Sequence, residues 1–201
     1  MSEFQRWEAR FSGPDYVFGK APNAFLKNHV HLTKPGQKAL SIADGEGRNG
    51  VFLAEHGLDV LSIDFSPTAI AKARLLANER GVKLRLEQAD IFTWDWPQVA
   101  FDVVVGIFFQ FATPDARAQV FSNIRTSLKS GGLLLIEGYR PEQVDFKTGG
   151  PPQREHMYTR KLLEESFKEF ASLEINEYDS VVDEGAGHKG MSALIDLVGR
   201  K

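Results

Sequence analysis

The sequence predicts an α/β protein in which helices cover a mainly parallel β-sheet. Short apolar segments of strand length alternate with longer amphipathic segments, which is the pattern of successive β-α units. The predicted strands are apolar on both faces, as expected for a sheet buried between two layers of helices. Near the end of the chain, two long strand-like segments follow each other without a helix between them. The sheet is therefore expected to finish in an antiparallel hairpin.

Composition is that of an ordinary globular protein and argues against several other classes. The 201 residues are 42% hydrophobic and 25% charged, with a formal net charge of −3, whereas a nucleic-acid-binding domain is normally strongly basic. No run reaches the eighteen apolar residues of a membrane span, and the N-terminal segment MSEFQRWEAR is polar where a signal peptide is apolar. We therefore expect a cytoplasmic protein with one domain over residues 1–201, and neither a nucleic-acid nor a membrane partner.

Cysteine chemistry and metal binding are not expected either. The chain has no cysteine, which excludes disulfides, cysteine-ligated zinc and a cysteine nucleophile. No set of histidine, aspartate and glutamate residues has the spacing of a metal site. We therefore predict that the protein requires no metal.

Each element is predicted from its periodicity and its terminal residues. Ser66 and Pro67 give an N-cap followed by proline at the first helical position, and Gly81 marks the end of the same helix. The predicted strands are Lys38–Ala43, Asp59–Asp64, Val82–Gln88, Phe101–Phe108, Gly132–Gly138, Ser172–Val182 and Gly190–Gly199. The predicted helices between them are Arg48–His56, Pro67–Arg80, one that begins at Thr113-Pro114, and Thr159–Phe170.

A glycine-rich turn, Asp44-Gly45-Glu46-Gly47, joins the first strand to the first helix of the sheet. Gly45 and Gly47 permit a tight turn and let a ligand approach the main chain with no Cβ in the way. Ligands of open α/β sheets bind at this edge, beyond the carboxyl ends of the strands. A turn that merely connects strand and helix would have the same composition. A dinucleotide site is disfavoured, because the third glycine of its motif is not at the required spacing and Glu46 would repel a pyrophosphate.

Acidic residues end the next two strands. Asp64 stands 19 residues after Gly45 and can accept hydrogen bonds from both hydroxyls of a ribose. Its alternative role, a helix cap, is already filled by Ser66. Asp90 can accept from an adenine amino group while the Ile91 N–H meets a ring nitrogen, although Asp90 alone could equally be a turn carboxylate. Three such coincidences at successive strand ends favour a nucleoside site.

The chain resembles class I S-adenosylmethionine (SAM)-dependent methyltransferases over nearly its whole length. Within them, the segments 46–49 (EGRN), 52–57 (FLAEHG) and 60–66 (VLSIDFS) are similar to the tellurite-resistance and thiopurine methyltransferase group. The resemblance implies a three-layer α-β-α, Rossmann-like sheet of seven strands in the order 3-2-1-4-5-7-6, with strand 7 antiparallel. It also implies SAM as cofactor. Ser41 replaces an acidic residue common in the group, and Ala43 replaces its first glycine.

The resemblance further implies where the cofactor lies. Gly45 and Gly47 would contact its amino-acid moiety, Asp64 its ribose, and Asp90 and Ile91 its adenine. An N-terminal segment folds over the cofactor in the related group, so we expect residues 1–35 to form a lid on the catalytic sheet of residues 36–201. The alternative for Trp7 and Phe11 is an amphipathic helix packed on the sheet edge. The full set of expected cofactor contacts is Asp44, Gly45, Gly47, Arg48, Asn49, Asp64, Phe65, Asp90, Ile91, Ile107, Trp7, Tyr16 and Phe18.

The methyl acceptor is expected to bind between the loops that follow strands 4 and 5 and the hairpin turn. Arg140, Arg154, His156 and His188 could together form a pocket for an anion, since arginine forks hold oxyanions well. His156 or His188 could also take a proton, and Arg140, His156 and His188 are our catalytic candidates. Each of these residues could instead be an ordinary solvated loop residue.

Three functions remain open on the sequence alone. The first is methylation of a small molecule, for example a thiol or a metalloid oxyanion such as tellurite or selenite. The second is an NAD-dependent oxidoreductase, which the missing third glycine and the terminal hairpin disfavour. The third is a SAM-binding protein without catalysis. A macromolecular acceptor is less expected, because Gly106-Ile107-Phe108-Phe109 stands where amino-group methylases of DNA and protein carry an Asn-Pro-Pro-Tyr-type motif.

Overall fold

The computed structural model describes residues 2–201, and its centre is one seven-stranded sheet. The strands are β1 (Lys38–Ile42), β2 (Asp59–Asp64), β3 (Arg85–Gln88), β4 (Phe101–Ile107), β5 (Leu128–Tyr139), β6 (Ser172–Asp183) and β7 (Lys189–Arg200). Their order in space is β3-β2-β1-β4-β5-β7-β6. The first five strands pair in parallel, and β7 is antiparallel to both β5 and β6. The predicted order and the antiparallel β7 are confirmed.

Helices lie on both sides of this sheet. They are α1 (Glu3–Phe11), α2 (Ala24–His29), α3 (Arg48–Glu55), α4 (Pro67–Arg80), α5 (Pro114–Ser127), α6 (Gln143–Phe146) and α7 (Arg160–Ser166), with 3-10 turns at Val30–Leu32 and Arg154–His156. None of the helices in the described residues is long and apolar enough to cross a membrane. Two buried clusters, one on each face, fill the space between sheet and helices.

Helix α4 shows how closely local signals fix the element boundaries. The Ser66 hydroxyl accepts a hydrogen bond from the Ala69 N–H, and Pro67 occupies the first turn. At the other end, Gly81 adopts a left-handed conformation with φ of 69°. The Val82 N–H then returns to the Ala77 carbonyl, which completes a Schellman-type cap. Both predicted ends of α4 are confirmed.

The same cap explains why β3 is shorter than predicted. The sequence predicts a strand from Val82, but the structure begins it at Arg85. Val82 is held by the helix cap, and together with Leu84 it packs against a small buried cluster around Leu76. The strand can therefore start only after this contact. Strand β5 differs in the opposite direction and begins at Leu128 rather than Gly132, with an irregular register against β4.

Candidate functional site

A cleft lies at the carboxyl edge of the parallel strands, where the sequence predicts the cofactor. Its first pocket contains about 730 Å³ of empty space, including its open mouth. The loops after β1, β2, β3 and β4 form its floor, and α1 and the hairpin turn cover it. The lining residues are Trp7, Phe11, Phe18, Ala43, Asp44, Gly45, Arg48, Asn49, Asp64, Phe65, Ala89, Asp90, Ile91, Ile107, Phe108, Phe111 and His188.

Asp64 organises the floor of this first pocket. One carboxylate oxygen accepts the Gly45 N–H at 2.8 Å and the other accepts the Ser66 N–H at 2.9 Å. Each oxygen keeps further acceptor capacity, because a carboxylate has about four lone-pair sites. Burial raises the pKa of Asp64 to about 6. The side chain is therefore fixed in orientation and still able to accept from a ligand.

Asp44 fixes the glycine turn from the other side. Its Oδ2 accepts from the Gly50 N–H at 3.0 Å and from the Ser62 hydroxyl at 2.8 Å. Ala43 precedes it with φ of 47°, a left-handed conformation that glycine adopts more easily. Ala43 therefore adopts a backbone conformation that is typical of glycine.

The end of β3 contributes the wall where the sequence predicts an adenine. Ala89 donates its N–H to the Asp64 carbonyl at 2.9 Å, which ties this loop to the end of β2. Asp90 is exposed and its Oδ1 accepts the Phe92 N–H at 2.9 Å, whereas Ile91 is buried. Asp90 and Ile91 both line the first pocket, where the sequence predicts them.

The N-terminal segment covers the pocket through two anchors. Glu8 of α1 accepts hydrogen bonds from the hydroxyls of Ser66 and Thr68 at the start of α4. Glu46, which is buried, accepts the Val17 N–H at 2.7 Å and pairs with Lys72 at 2.8 Å. These contacts hold the rings of Trp7, Phe11 and Phe18 over the glycine turn.

Two of the predicted cofactor residues do not reach the pocket. Tyr16 donates its hydroxyl to the Lys72 carbonyl at 2.9 Å, so it belongs to the anchor of the N-terminal segment. Gly47 faces α4, where an added Cβ would lie 2.5 Å from the Ala73 Cβ. Its φ of 86° and this close approach explain a glycine there without any ligand. The other eleven predicted residues line the first pocket.

Arg48 reaches the pocket but its guanidinium has a protein partner. It donates to Glu184 of the hairpin turn at 2.6 Å, and this ion pair is largely buried. Glu184 also accepts the Ala24 N–H at 2.9 Å and the Asn23 side-chain amide at 3.1 Å. Asn23 donates further to Glu137 of β5, whose pKa burial raises well above its ordinary value. Sequence reasoning did not identify this network, because its members come from four distant segments.

A second pocket adjoins the first and contains about 970 Å³ of empty space, including its mouth. The two pockets share Trp7, Phe108, Phe111 and His188. The remaining lining residues of the second pocket are Glu3, Arg6, Arg10, Gln110, Tyr139, Gly149, Gly150, Pro151, Pro152, Gln153, His156 and Gly187. A ligand in the first pocket and a second molecule here would therefore meet at shared walls.

His188 lies at the junction of the two pockets. It is 9% exposed, and its Nδ1 has no hydrogen-bond partner among residues 2–201. Its ring packs against Phe18 and Phe108, with centroid separations of 4.5 and 4.4 Å. Burial lowers the pKa of His188 to about 3, and the charges of Arg48 and Arg10 add to this effect. At neutral pH its imidazole is therefore uncharged.

The four residues predicted to form an anion pocket are not brought together. Arg140 pairs with Asp179 and donates to the Leu194 carbonyl at 3.1 Å, and it lines neither pocket. Arg154 pairs with Asp145 at 2.7 Å on the surface. Only His156 and His188 reach the second pocket. The arginines are drawn away because acidic partners stand close to them on β6 and α6, which the linear sequence does not reveal.

No group of three or more histidine or acidic side chains that could hold a metal occurs in the part of the chain that the structure describes. The residues of the first pocket fit an adenosyl ligand, since Asp64 retains acceptor capacity and Gly45 presents its backbone with no Cβ.

Known proteins were compared with the chain at the levels of sequence and fold. Residues 39–132 match a family model described as a methyltransferase domain. A curated relative, phosphatidylethanolamine N-methyltransferase of Cereibacter sphaeroides, is 27% identical over 139 residues, which are 68% of this chain and 66% of that protein. The chain spans between half and two thirds of the length of the first curated relatives that it matches.

Solved structures agree in fold. A structure from work on the conversion of a disulfide bond into a thioacetal group during echinomycin biosynthesis has a TM-score of 0.75 at 18% identity, covering 99% of this chain and 91% of that one. The crystal structure of TehB from Haemophilus influenzae has a TM-score of 0.71 at 21% identity, covering 89% and 62%. Residues 39–132 thus match a methyltransferase domain, and the chain, with its strand order β3-β2-β1-β4-β5-β7-β6, has the fold of these solved structures.

Proposed function

We propose that this protein transfers the methyl group of SAM to a small-molecule acceptor. The observation that carries the proposal is the pair of adjoining pockets at the carboxyl edge of the sheet. The first has the glycine turn and the strand-end carboxylates expected for SAM, and the second shares walls with it. Such an arrangement brings two reactants together and excludes water, which can supply much of the rate of a displacement reaction. We further propose that the protein acts in the cytoplasm as one domain.

In this proposal, the cofactor is held by groups whose orientation the fold already fixes. Asp64 accepts the ribose hydroxyls, Asp90 and the Ile91 N–H meet the adenine, and the backbone at Gly45 lies against the amino-acid moiety. SAM supplies a methyl group that is already activated by the neighbouring sulfonium. The protein therefore needs to align the acceptor and, where the acceptor carries a proton, to remove it.

His188 is our candidate for the group that orients such an acceptor by a hydrogen bond. It stands between the two pockets, and its Nδ1 has no partner among the described residues. An uncharged imidazole can accept a hydrogen bond from a thiol, a hydroxyl or an amine, whereas a pKa of about 3 makes His188 too weak a base to hold the proton itself. A metalloid oxyanion is already deprotonated and would not need it. His156 lines the second pocket further from the first and is proposed only as a wall residue there.

The N-terminal segment is proposed as a lid on the cofactor. Its rings line the first pocket, and α1 is tied to the start of α4 through Glu8. Hydrogen exchange of the α1 amides should slow when S-adenosylhomocysteine (SAH) binds, because a closed lid protects them. Unchanged exchange in α1, with slower exchange in the glycine turn, would show that α1 is a fixed wall.

The proposed cofactor is tested by calorimetric titration with SAM, SAH and NAD. We expect micromolar binding of SAM and SAH, no binding of NAD, and loss of SAH binding in Asp64→Ala. Asp59→Ala is the matched control, since Asp59 is an exposed carboxylate at the opposite end of the same strand. Binding of NAD alone, or of none of the three, would refute the proposal.

The acceptor is then sought by following SAH formation. The screen begins with thiols, selenite and tellurite, the acceptors that the sequence suggested. It also includes ethanolamine-type amines, because one relative is named a phosphatidylethanolamine N-methyltransferase. His188→Leu separates the classes: loss of this hydrogen bond should slow methylation of a thiol or an amine roughly tenfold, and should leave an oxyanion acceptor nearly unaffected.

A further inference from the structure

The second pocket offers a cation that the sequence did not predict. Arg10 lies on α1 at the mouth of this pocket, where it is exposed. Its guanidinium carbon stands 5.0 Å from the ring centroids of both Trp7 and Phe18, which is within the range of a cation–π contact. Among residues 2–201 no carboxylate pairs with Arg10, whereas the neighbouring Arg6 is paired with Glu3 at 2.6 Å. Arg10 is therefore a positive group available to a ligand.

The other polar groups of this pocket are mostly occupied. Gln110 uses its side-chain amide to donate to the Tyr139 carbonyl at 2.8 Å and to accept the Tyr139 N–H at 2.5 Å. Glu3, the one carboxylate among the described lining residues, is held by Arg6. The walls between them are the flat rings of Trp7, Phe108, Phe111 and Tyr139. What remains for a ligand is the Arg10 cation, the neutral imidazole of His188, the Tyr139 hydroxyl, the side chains of Gln153 and His156, and an aromatic enclosure.

The position of Phe18 limits the distance between the Arg10 guanidinium and the His188 imidazole. The Phe18 ring centroid is 5.0 Å from the Arg10 guanidinium carbon and 4.5 Å from the His188 ring centroid. Guanidinium and imidazole therefore lie no more than about 9.5 Å apart. A small molecule can therefore touch both groups at once.

We infer that the methyl acceptor is a small anion with a flat, apolar body and that Arg10 of the N-terminal helix binds its charged group. This inference rests on the proposed function and names the substrate class of the same site. The anion would lie on Arg10, the apolar body between the aromatic walls, and the reacting atom beside His188. Arg10 is thus a specificity-determining residue, and it belongs to the proposed lid rather than to the loops after the strands.

The inference is tested by binding rather than by turnover, because no acceptor is yet identified. Benzoate and benzamide have the same flat body and differ in charge. We expect SAH-loaded protein to bind benzoate at least tenfold more tightly than benzamide, as a charge-assisted contact with a guanidinium should give. Arg10→Gln should abolish this preference. Arg74→Gln is the control, with the same change of charge at an exposed position of α4 outside both pockets, and should keep the preference.

Three outcomes would overturn the inference. They are equal binding of benzoate and benzamide, absence of binding by both, and equal loss of the preference in Arg74→Gln and Arg10→Gln, which would indicate only general electrostatic attraction. Thermal unfolding of each variant checks that α1 remains in place. SAH binding is measured first and separately, so its failure would refute the methyltransferase proposal alone. The two probes would then be titrated into the unliganded protein, where the comparison still decides the role of Arg10.

Discussion

The two pockets are built by different means. The floor of the first is formed by four consecutive strand ends, and each contributes residues that lie next to each other in sequence. The second is formed by α1, residues 149–153, the end of β5 and the hairpin turn, which are far apart along the chain. Local rules of turn and cap therefore determine the first pocket, and tertiary packing assembles the second. The predictions below test this contrast, from the largest expected effect to the smallest.

The strongest test concerns Gly47, which belongs to the glycine turn but not to the pocket wall. Gly47→Ala should lower the free energy of unfolding by about 3 kcal/mol, from the left-handed backbone together with the contact against Ala73. Urea unfolding measures the change. Gly13→Ala is the control, because a Cβ there meets nothing within 4 Å. A variant that is stable but binds SAH poorly would show that Gly47 serves the ligand instead.

The sequence predicts the sheet and the first pocket well because both follow from neighbouring residues. Short stretches of sequence are enough to predict the cap at Ser66, the turn at Gly45 and the strand-end position of Asp64. The second pocket is not, since Arg140 is withdrawn by Asp179 from a strand forty residues away and Arg10 arrives from the N-terminal helix. No periodicity or motif in the sequence predicts such long-range contacts.

The next test concerns the charge of Asp64. Asp64→Asn should weaken SAH binding roughly ten- to hundredfold at pH 8, because an amide replaces the carboxylate that is proposed to accept hydrogen bonds from the ribose hydroxyls. Burial raises the pKa of Asp64 to about 6, so its carboxylate is progressively protonated as the pH falls below that value. SAH affinity of the unaltered protein should therefore decline from pH 7 to pH 5. Calorimetry across this range should show no such decline in Asp64→Asn, and parallel curves would refute the assignment.

His188 gives the corresponding test in the acceptor region. Its pKa is about 3 in the folded protein against about 6.5 when unfolded, so the folded state binds fewer protons between these values. Stability is thus fully present above pH 6.5 and decreases as the pH falls toward 3. Relative to His188→Gln, the unaltered protein should lose roughly 2 kcal/mol between pH 7 and pH 5. Asp64 acts in the opposite direction in both proteins, so only the difference between their urea midpoints is informative. Identical pH dependence would show that the ring is not buried uncharged.

Ala43 provides the smallest and most local test of the contrast. Its φ of 47° costs a residue with a Cβ on the order of 1–2 kcal/mol, and glycine would relieve this while adding about 0.5–1 kcal/mol of unfolded-state entropy. Ala43→Gly should therefore stabilise the protein by up to about 1 kcal/mol in urea unfolding. SAH affinity should change less than threefold, because alanine already keeps the glycine backbone path and Asp44 and Asp64 hold the turn from both sides. A large gain in affinity with unchanged stability would mean instead that the Ala43 methyl group obstructs the cofactor. The backbone of the glycine turn would then not be sufficient to shape the first pocket.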